Sequence, residues 1–271
     1  MEQHASGDSQ PKYNFSISSP RLISANDYKS TVAEEYRKLK SIIVQQSHWD
    51  RCKYSIMVSS CIGGEGKSIT SLNLALSLAQ GHDYDVLLID ADLRNPSIGK
   101  YLGIKPELGL TDCLIDGITL DKVLISTGLG HLTFLPAGRK VDNPVELLSS
   151  KKMDDFIVTV KERFQNSFII FDTPPVLPFA DTRVIGRLVD RVLFVVKEGG
   201  PSLNTITEAI ESLNDIKLLG LVYNKATTES LRGGYHYYYY DYEFKPRHLD
   251  ASETKKKIRW FPRIFRIKDS S

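Results

Sequence analysis

The sequence predicts a single α/β domain, a doubly wound and mostly parallel sheet, and three observations carry that prediction. Short apolar runs rich in β-formers recur along the chain, each is followed by a segment of helical period, and the first passes through a glycine-rich loop straight into a helix. Continuous apolar runs suit strands covered on both faces, the arrangement that helices on either side of a parallel sheet provide. With 271 residues, 41% hydrophobic and 25% charged, the chain has an ordinary globular composition and needs no second core.

The elements follow in order. Residues 1–23, rich in Ser, Gln, Gly and Pro, show no sustained period and read as a mobile arm. Tyr28, Val32, Tyr36, Leu39 and Ile43 recur at steps of three and four, which predicts a helix with Ser24 or Asn26 as its cap. Strands are expected at 55–60, 86–89, 168–171, 192–196 and 218–223, and helices at 68–80, 153–164 and 203–214. The domain so defined covers 24–230, with no internal repeat. Residues 231–244 hold a glycine pair and a tyrosine run without amphipathic spacing; they read as a flexible tail with no core element downstream to pack on.

Charge and cysteine content narrow the class. The formal charge is +2, but residues 245–271 hold nine Lys/Arg against three Asp/Glu, so this basic tail is +6 and the rest −4. No apolar stretch approaches the roughly 20 residues of a bilayer crossing, and residues 1–20 lack the apolar region of a secretory signal, which predicts a cytoplasmic protein. Cys52, Cys61 and Cys113 form an odd set without C-x-x-C spacing, so neither a disulfide framework nor a zinc site is expected, only core or near-core thiols.

The loop after the first strand reads Cys61-Ile62-Gly63-Gly64-Glu65-Gly66-Lys67-Ser68. Phosphate oxygens need converging N–H donors, which glycines permit by letting the backbone wrap closely, and a helix N-terminus adds favourable dipole charge. Taken alone, the segment also fits a plain strand-to-helix turn, since Cys61 stands where the usual first glycine would be. Two further segments weigh against that. VLLIDADLR places Asp90 and Asp92 at one strand end, and FIIFDTPP places Asp172 at another. Each aspartate alone fits a cap or a turn. Three at the carboxyl edge of a parallel sheet, where ligands bind, fit a Mg²⁺ ion held by carboxylates, waters and phosphate oxygens. The sheet is then of the P-loop NTPase type. Its expected nucleotide-binding set is Gly63, Gly64, Glu65, Gly66, Lys67, Ser68, Ile69 and, at the end of the last strand, Asn224. Lys67 reaches the β- and γ-phosphates, and the expected metal set is Ser68, Asp90, Asp92 and Asp172.

On these segments the chain resembles the bacterial tyrosine kinases, the BY-kinase family of P-loop proteins acting in capsule and exopolysaccharide production. GGEGKS, LLIDADLRNP and IIFDTPPV are similar to that family's Walker A, Walker A′ and Walker B motifs, and GLTDCLIDG, LPAG and NPVELLSS follow its pattern in order, over residues 27–242. The resemblance implies ATP-dependent autophosphorylation on tyrosine, with Lys67, Asp90, Asp92 and Asp172 as the catalytic set. Asp90 is the expected general base, with action chiefly on Mg²⁺ as its alternative. The acceptors it implies are Tyr235, Tyr237, Tyr238, Tyr239, Tyr240 and Tyr242, six tyrosines in eight residues; an aggregation-prone strand or a stacking surface is the other meaning of such a run.

Glu34, Arg37 and Lys40 lie at i, i+3 steps and are similar to the family's ExxRxxR oligomerisation motif, with Lys40 replacing the second arginine and losing its planar fork. The resemblance implies a ring-like homo-oligomer, an octamer as its expected size, in which a tail enters the neighbouring subunit. By spacing alone these residues also fit solvated ion pairs within one helix. Further expected partners are a transmembrane polysaccharide co-polymerase as activator and a tyrosine phosphatase. In KKKIRWFPRIFRIK, residues 255–268, basic and aromatic residues interleave, which fits either the anionic inner face of the membrane or a solubilising tail. No nucleic-acid recognition module is present. The rival class is a partitioning or division-site ATPase switch; those proteins carry a lysine where this chain has Ile62.

Overall fold

The computed structural model describes residues 19, 21–49, 54–80, 84–213, 216–227 and 261–265. Most of the arm, Cys52, the tyrosines from Tyr235 to Tyr242 and the remainder of the basic tail lie outside the described residues.

In chain order the elements are α1 (Ile23–Asn26), α2 (Thr31–Trp49), β1 (Ser55–Ser60), α3 (Lys67–Ala79), β2 (Val86–Asp90), α4 (Ile98–Tyr101), α5 (Leu110–Asp116), α6 (Leu120–Val123), β3 (Ile125–Ser126), β4 (Leu132–Leu135), α7 (Pro144–Leu148), α8 (Lys151–Arg163), β5 (Phe168–Asp172), α9 (Asp181–Gly186), β6 (Arg191–Lys197), α10 (Leu203–Glu211), β7 (Leu218–Ala226) and β8 (Phe261–Phe265). They build one sheet of order β3-β4-β2-β5-β1-β6-β7-β8. The six strands from β4 to β7 run parallel, and β3 and β8 close the two edges antiparallel. The expected doubly wound sheet is therefore present, with β1 near its middle.

Strand alternation divides the core in two. Ile56 and Val58 of β1, with Val86 and Leu88 of β2, face a cluster that includes Tyr36, Leu39, Ile43, Leu72 and Leu76 from α2 and α3. Met57, Leu87 and Ile89 face the opposite cluster, with Met153, Ile157, Ile185 and Ala209 from α8, α9 and α10. A strand buried on both faces has no polar side to offer, which is why these runs read as continuous hydrophobics. Each such side chain contributes about 1.5–3 kcal/mol on burial.

The chain entry differs from expectation. Ser30 Oγ accepts from Ala33 N at 3.1 Å, so Ser30 caps α2, and neither Ser24 nor Asn26 does. Tyr28 consequently falls in the connection before α2 and is 61% exposed. The segment before it is held elsewhere: Asn73 of α3 accepts from Ser24 N and donates to the Arg21 carbonyl, each at 3.0 Å. Leu22 is fully buried, so anchored structure begins before residue 24.

Sequence periodicity also passed over β3, β4 and β8. The first two are two and four residues long, too short to show a period. At the other edge, where no element was expected downstream of the tyrosines, Phe261–Phe265 pairs with β7, Leu221 opposite Phe265 and Tyr223 opposite Arg263. Pro262 is compatible with an edge strand, the one place in a sheet where a missing N–H is tolerated.

Candidate active site

The chain leaves β1 at the carboxyl edge of the sheet, turns through residues 61–66 and enters α3 at Lys67. Two glycines take left-handed conformations that other residues avoid, Gly64 at φ 81° and Gly66 at φ 98°. At Gly66 the space is closed as well, because a Cβ there would stand 2.2 Å from Asn224 Nδ2.

The ends of β6 and β7 brace this loop. Glu65 is 1% exposed and turns its carboxylate into the protein: Oε2 accepts from Ile62 N at 2.8 Å and Oε1 from Lys197 N at 3.2 Å. Burial raises its pKa, and those two N–H groups oppose the shift. Asn224 Nδ2 donates to the Glu65 carbonyl at 2.8 Å, and Lys225 Nζ to the Gly64 carbonyl at 2.9 Å. Lys225 itself has φ 58°, a strained conformation for a non-glycine residue, and its N–H donates to Asn224 Oδ1. Cys61 is a buried core thiol as expected; burial and then the Glu65 charge push its pKa up to about 12.

The three aspartates converge behind the loop. Asp90 and Asp172 are direct partners on the neighbouring strands β2 and β5. Asp90 Oδ2 accepts from Ser97 N and Ile98 N, both at 3.0 Å, and Asp172 Oδ1 accepts from Ser71 Oγ at 3.0 Å. The other oxygen of each, Asp90 Oδ1 and Asp172 Oδ2, is buried without a hydrogen-bond partner. Asp92 is fully engaged, accepting from Lys67 Nζ at 2.7 Å and from Asn95 N at 3.0 Å. Burial, then the Asp172 charge, holds Asp90 well above the usual carboxylate range. Burial raises Asp172 to about 6, with Lys67 and Ser68 opposing. For Lys67, burial disfavours the charge, but Asp172, Asp92 and Asp90 together outweigh it and raise its pKa. The ammonium of Lys67 is thus the cation that balances three carboxylates.

A cavity of about 910 Å³ opens over this cluster, within the range of small-molecule sites. Gly63, Gly64, Gly66, Lys67, Ser68, Ile69, Asp92 and Asn224 line it. Asp90 and Asp172 stand behind that lining, 1% and 0% exposed. Among the described residues no three acidic, Cys or His side chains form a metal cage by themselves. The donor chemistry fits Mg²⁺ in its usual manner, with one or two carboxylates and a hydroxyl completed by water and phosphate oxygens, and the two orphaned carboxylate oxygens are the matching vacancies in the hydrogen-bond network.

Glu34, Arg37 and Lys40 do not line the cavity, although Val32 and Tyr36 of the same helix do. Arg37 Nε donates to Glu34 Oε2 at 2.7 Å along α2, Arg37 Nη1 to the Tyr28 carbonyl at 2.6 Å, and Lys40 Nζ to the Gln80 carbonyl at 2.9 Å. Sequence reasoning did not single out Ser71, Arg94, Asp181 or Lys225. Ser71 lies one helical turn beyond Ser68, a spacing that marks it in retrospect; the others touch the site through partners 87 or more positions away, which no local pattern records.

Fold and site define a nucleotide-binding P-loop protein. The AAA domain family model matches residues 53–224. The chain is 35% identical over 205 residues to the tyrosine-protein kinase YwqD of Bacillus subtilis, covering 75% of this chain and 85% of that one. The solved structure of the chimerical protein CapA2B2 superposes with a TM-score of 0.69 at 29% identity, covering 74% and 88% of the two chains. The kinase domain of Escherichia coli tyrosine kinase ETK gives 0.67 at 26% identity over 74% and 78%. The chain belongs to the bacterial tyrosine kinase family. A ParA family ATPase from Chlorobium tepidum gives 0.52 at 20% identity, a likeness of fold alone. Among the described residues, no helix is long and apolar enough to cross a membrane.

Proposed function

We propose that the chain phosphorylates the tyrosines from Tyr235 to Tyr242 of a neighbouring copy, and that Lys67, Ser68, Asp90, Asp92 and Asp172 carry the reaction. The observation that supports this most is the pair of buried, unpartnered oxygens on Asp90 and Asp172 beside the P-loop. Leaving a buried acceptor unsatisfied is costly, and such atoms are retained where a ligand completes them.

The loop amides of Gly63, Gly64 and Gly66 and the N-terminus of α3 receive the phosphates. Lys67 exchanges Asp92 for the β- and γ-phosphate oxygens. Ser68 and Asp172 would hold Mg²⁺, with Asp90 the strand partner of Asp172. When bound, Mg²⁺ neutralises charge developing on the transferring phosphoryl group. The tyrosine Oη attacks the γ-phosphorus while the bond from phosphorus to the β,γ-bridging oxygen breaks, and ADP leaves. The phenol proton, at a pKa near 10 in free tyrosine, passes to Asp90, whose Oδ1 has no partner of its own.

Glu34, Arg37 and Lys40 present charge on α2 for a ring of subunits, with an octamer as the size the family resemblance implies. The same resemblance supports a role in exopolysaccharide and capsule synthesis, activation by a transmembrane co-polymerase and reversal by a tyrosine phosphatase. The basic run 255–268 supports a peripheral position at the inner membrane face. The test is phosphosite mapping by mass spectrometry after incubation with Mg-ATP. Phosphotyrosine within 235–242 in the wild type and none in Lys67→Met is the expected result; phosphate release without phosphotyrosine overturns the reading in favour of an ATPase switch.

A further inference from the structure

We propose that Phe179 and Arg94, fixed by Asp181, form the seat for the aromatic ring of the acceptor tyrosine, an inference that rests on the kinase reading and adds to it a subsite for the phenolic substrate. Arg94 Cζ lies 4.5 Å from the centroid of the Phe179 ring, within cation–π range. Its guanidinium is held by both oxygens of Asp181, Nε at 2.5 Å and Nη2 at 3.3 Å. Asp181 is 1% exposed, and its neighbour Thr182 donates to the Pro174 carbonyl at 2.6 Å, which binds the start of α9 to the chain leaving Asp172. The pair is therefore a rigid shelf attached to two of the proposed catalytic strand ends, β2 through Asp92 and β5 through Asp172.

Three considerations make this shelf a binding element. First, both Arg94 and Phe179 line the cavity together with Lys67 and Asp92, and the Asp92 charge acts on Arg94. Second, a phenol delivered to the γ-phosphate brings an aromatic ring that must leave water, and the glycines of the P-loop offer it no side chain. Tyr36 and Tyr101, also on the cavity wall, both pack against the core, whereas Phe179 is half-buried and belongs to neither core cluster. Third, Asp181 is buried while Arg94 keeps a third of its side chain exposed, so the pair fixes one end of a cation that still reaches the cavity. The two bonds from Asp181 hold the planar guanidinium over the Phe179 ring on the cavity wall. A serine or threonine has no ring to place there, so the shelf favours tyrosine.

The test uses the full-length protein with a synthetic peptide of residues 231–244 as exogenous acceptor, and a fluorescent ATP analogue to measure nucleotide affinity separately. Phe179→Leu keeps apolar volume but removes the aromatic face, and Arg94→Lys keeps the charge but removes the planar stack. Both are expected to raise the peptide KM about 5–20-fold, in line with the usual worth of aromatic and cation–π contacts. kcat at saturating peptide should change less than KM, nucleotide affinity should stay within about twofold in Phe179→Leu, and Phe179→Trp should restore the KM. An unchanged peptide KM in Phe179→Leu overturns the proposal, as does a loss of nucleotide affinity that accounts for the whole effect in both variants. A wild-type protein that transfers no phosphate to the peptide or to itself overturns the kinase reading first, an outcome distinct from either.

Discussion

The two ends of the sheet treat their carboxylates in opposite ways. At the amino end, Asp190 before β6 accepts from Ser55 N at 2.9 Å, Ser55 Oγ at 2.6 Å and Lys161 Nζ at 3.0 Å. Burial works against its charge, but these partners prevail and hold it below the usual carboxylate range. At the carboxyl end, Asp90 and Asp172 are more deeply buried, each keeps an oxygen without a partner, and both are raised. A carboxylate that serves the fold is completed by the fold. One that serves a ligand is left incomplete, at a cost in stability that the bound ligand offsets.

That contrast makes predictions of graded size. The largest concerns Lys67→Met, which removes the cation shared by three carboxylates and by the phosphates; phosphotyrosine formation should fall by about a hundredfold or more, read by quantitative mass spectrometry. Next is Gly66→Ala, which forces a Cβ into Asn224 and a side chain onto a left-handed backbone. Nucleotide affinity should drop by at least about tenfold, measured by calorimetry, with folding cooperativity retained.

Neutralising the two classes of aspartate sharpens the comparison in stability. Asp172 has a folded pKa of about 6 against an unfolded value near 3.9, so its contribution favours folding below about pH 4 and is lost as pH rises through 6. In metal-free protein at pH 7.5, Asp172→Asn should therefore melt about 2–4 °C above wild type while losing activity. Asp190→Ala should do the reverse, keeping the site but losing about 1–2 kcal/mol through the unpaired Ser55 N–H, seen as a lower melting temperature. The smallest monomer effect belongs to Glu34→Ala/Arg37→Ala, whose exposed pair along α2 is worth about 0–1 kcal/mol. Its informative readout is gel filtration, where a smaller species is expected and an unchanged elution volume removes this interface.

The same contrast explains what the sequence disclosed. The buried strands β2, β5 and β6 were legible because a strand covered on both faces is apolar along nearly its whole length, and Asp90, Asp92 and Asp172 stood out by interrupting such runs at their ends. The P-loop was legible because Gly64 and Gly66 meet a backbone demand that few other residues meet. The bracing of that loop by Glu65, Lys197, Asn224 and Lys225 was not legible, since it joins positions more than 130 apart in the chain. Ser30 caps α2 in place of Ser24 because Ser24 lies inside the short α1, where its N–H donates to Asn73, and α2 begins only at Thr31. β8 was hidden by its basic neighbours, which mask a five-residue edge strand as a polar tail.

Calorimetric titration of ATP into the full chain, with Mg²⁺ and then with EDTA, bears most directly on the incomplete carboxylates. Wild type should bind at least about tenfold more tightly with the metal, and Asp172→Asn should lose most of that difference while retaining metal-free affinity. Equal affinity with and without Mg²⁺ in the wild type, or a metal dependence untouched by Asp172→Asn, would contradict the account.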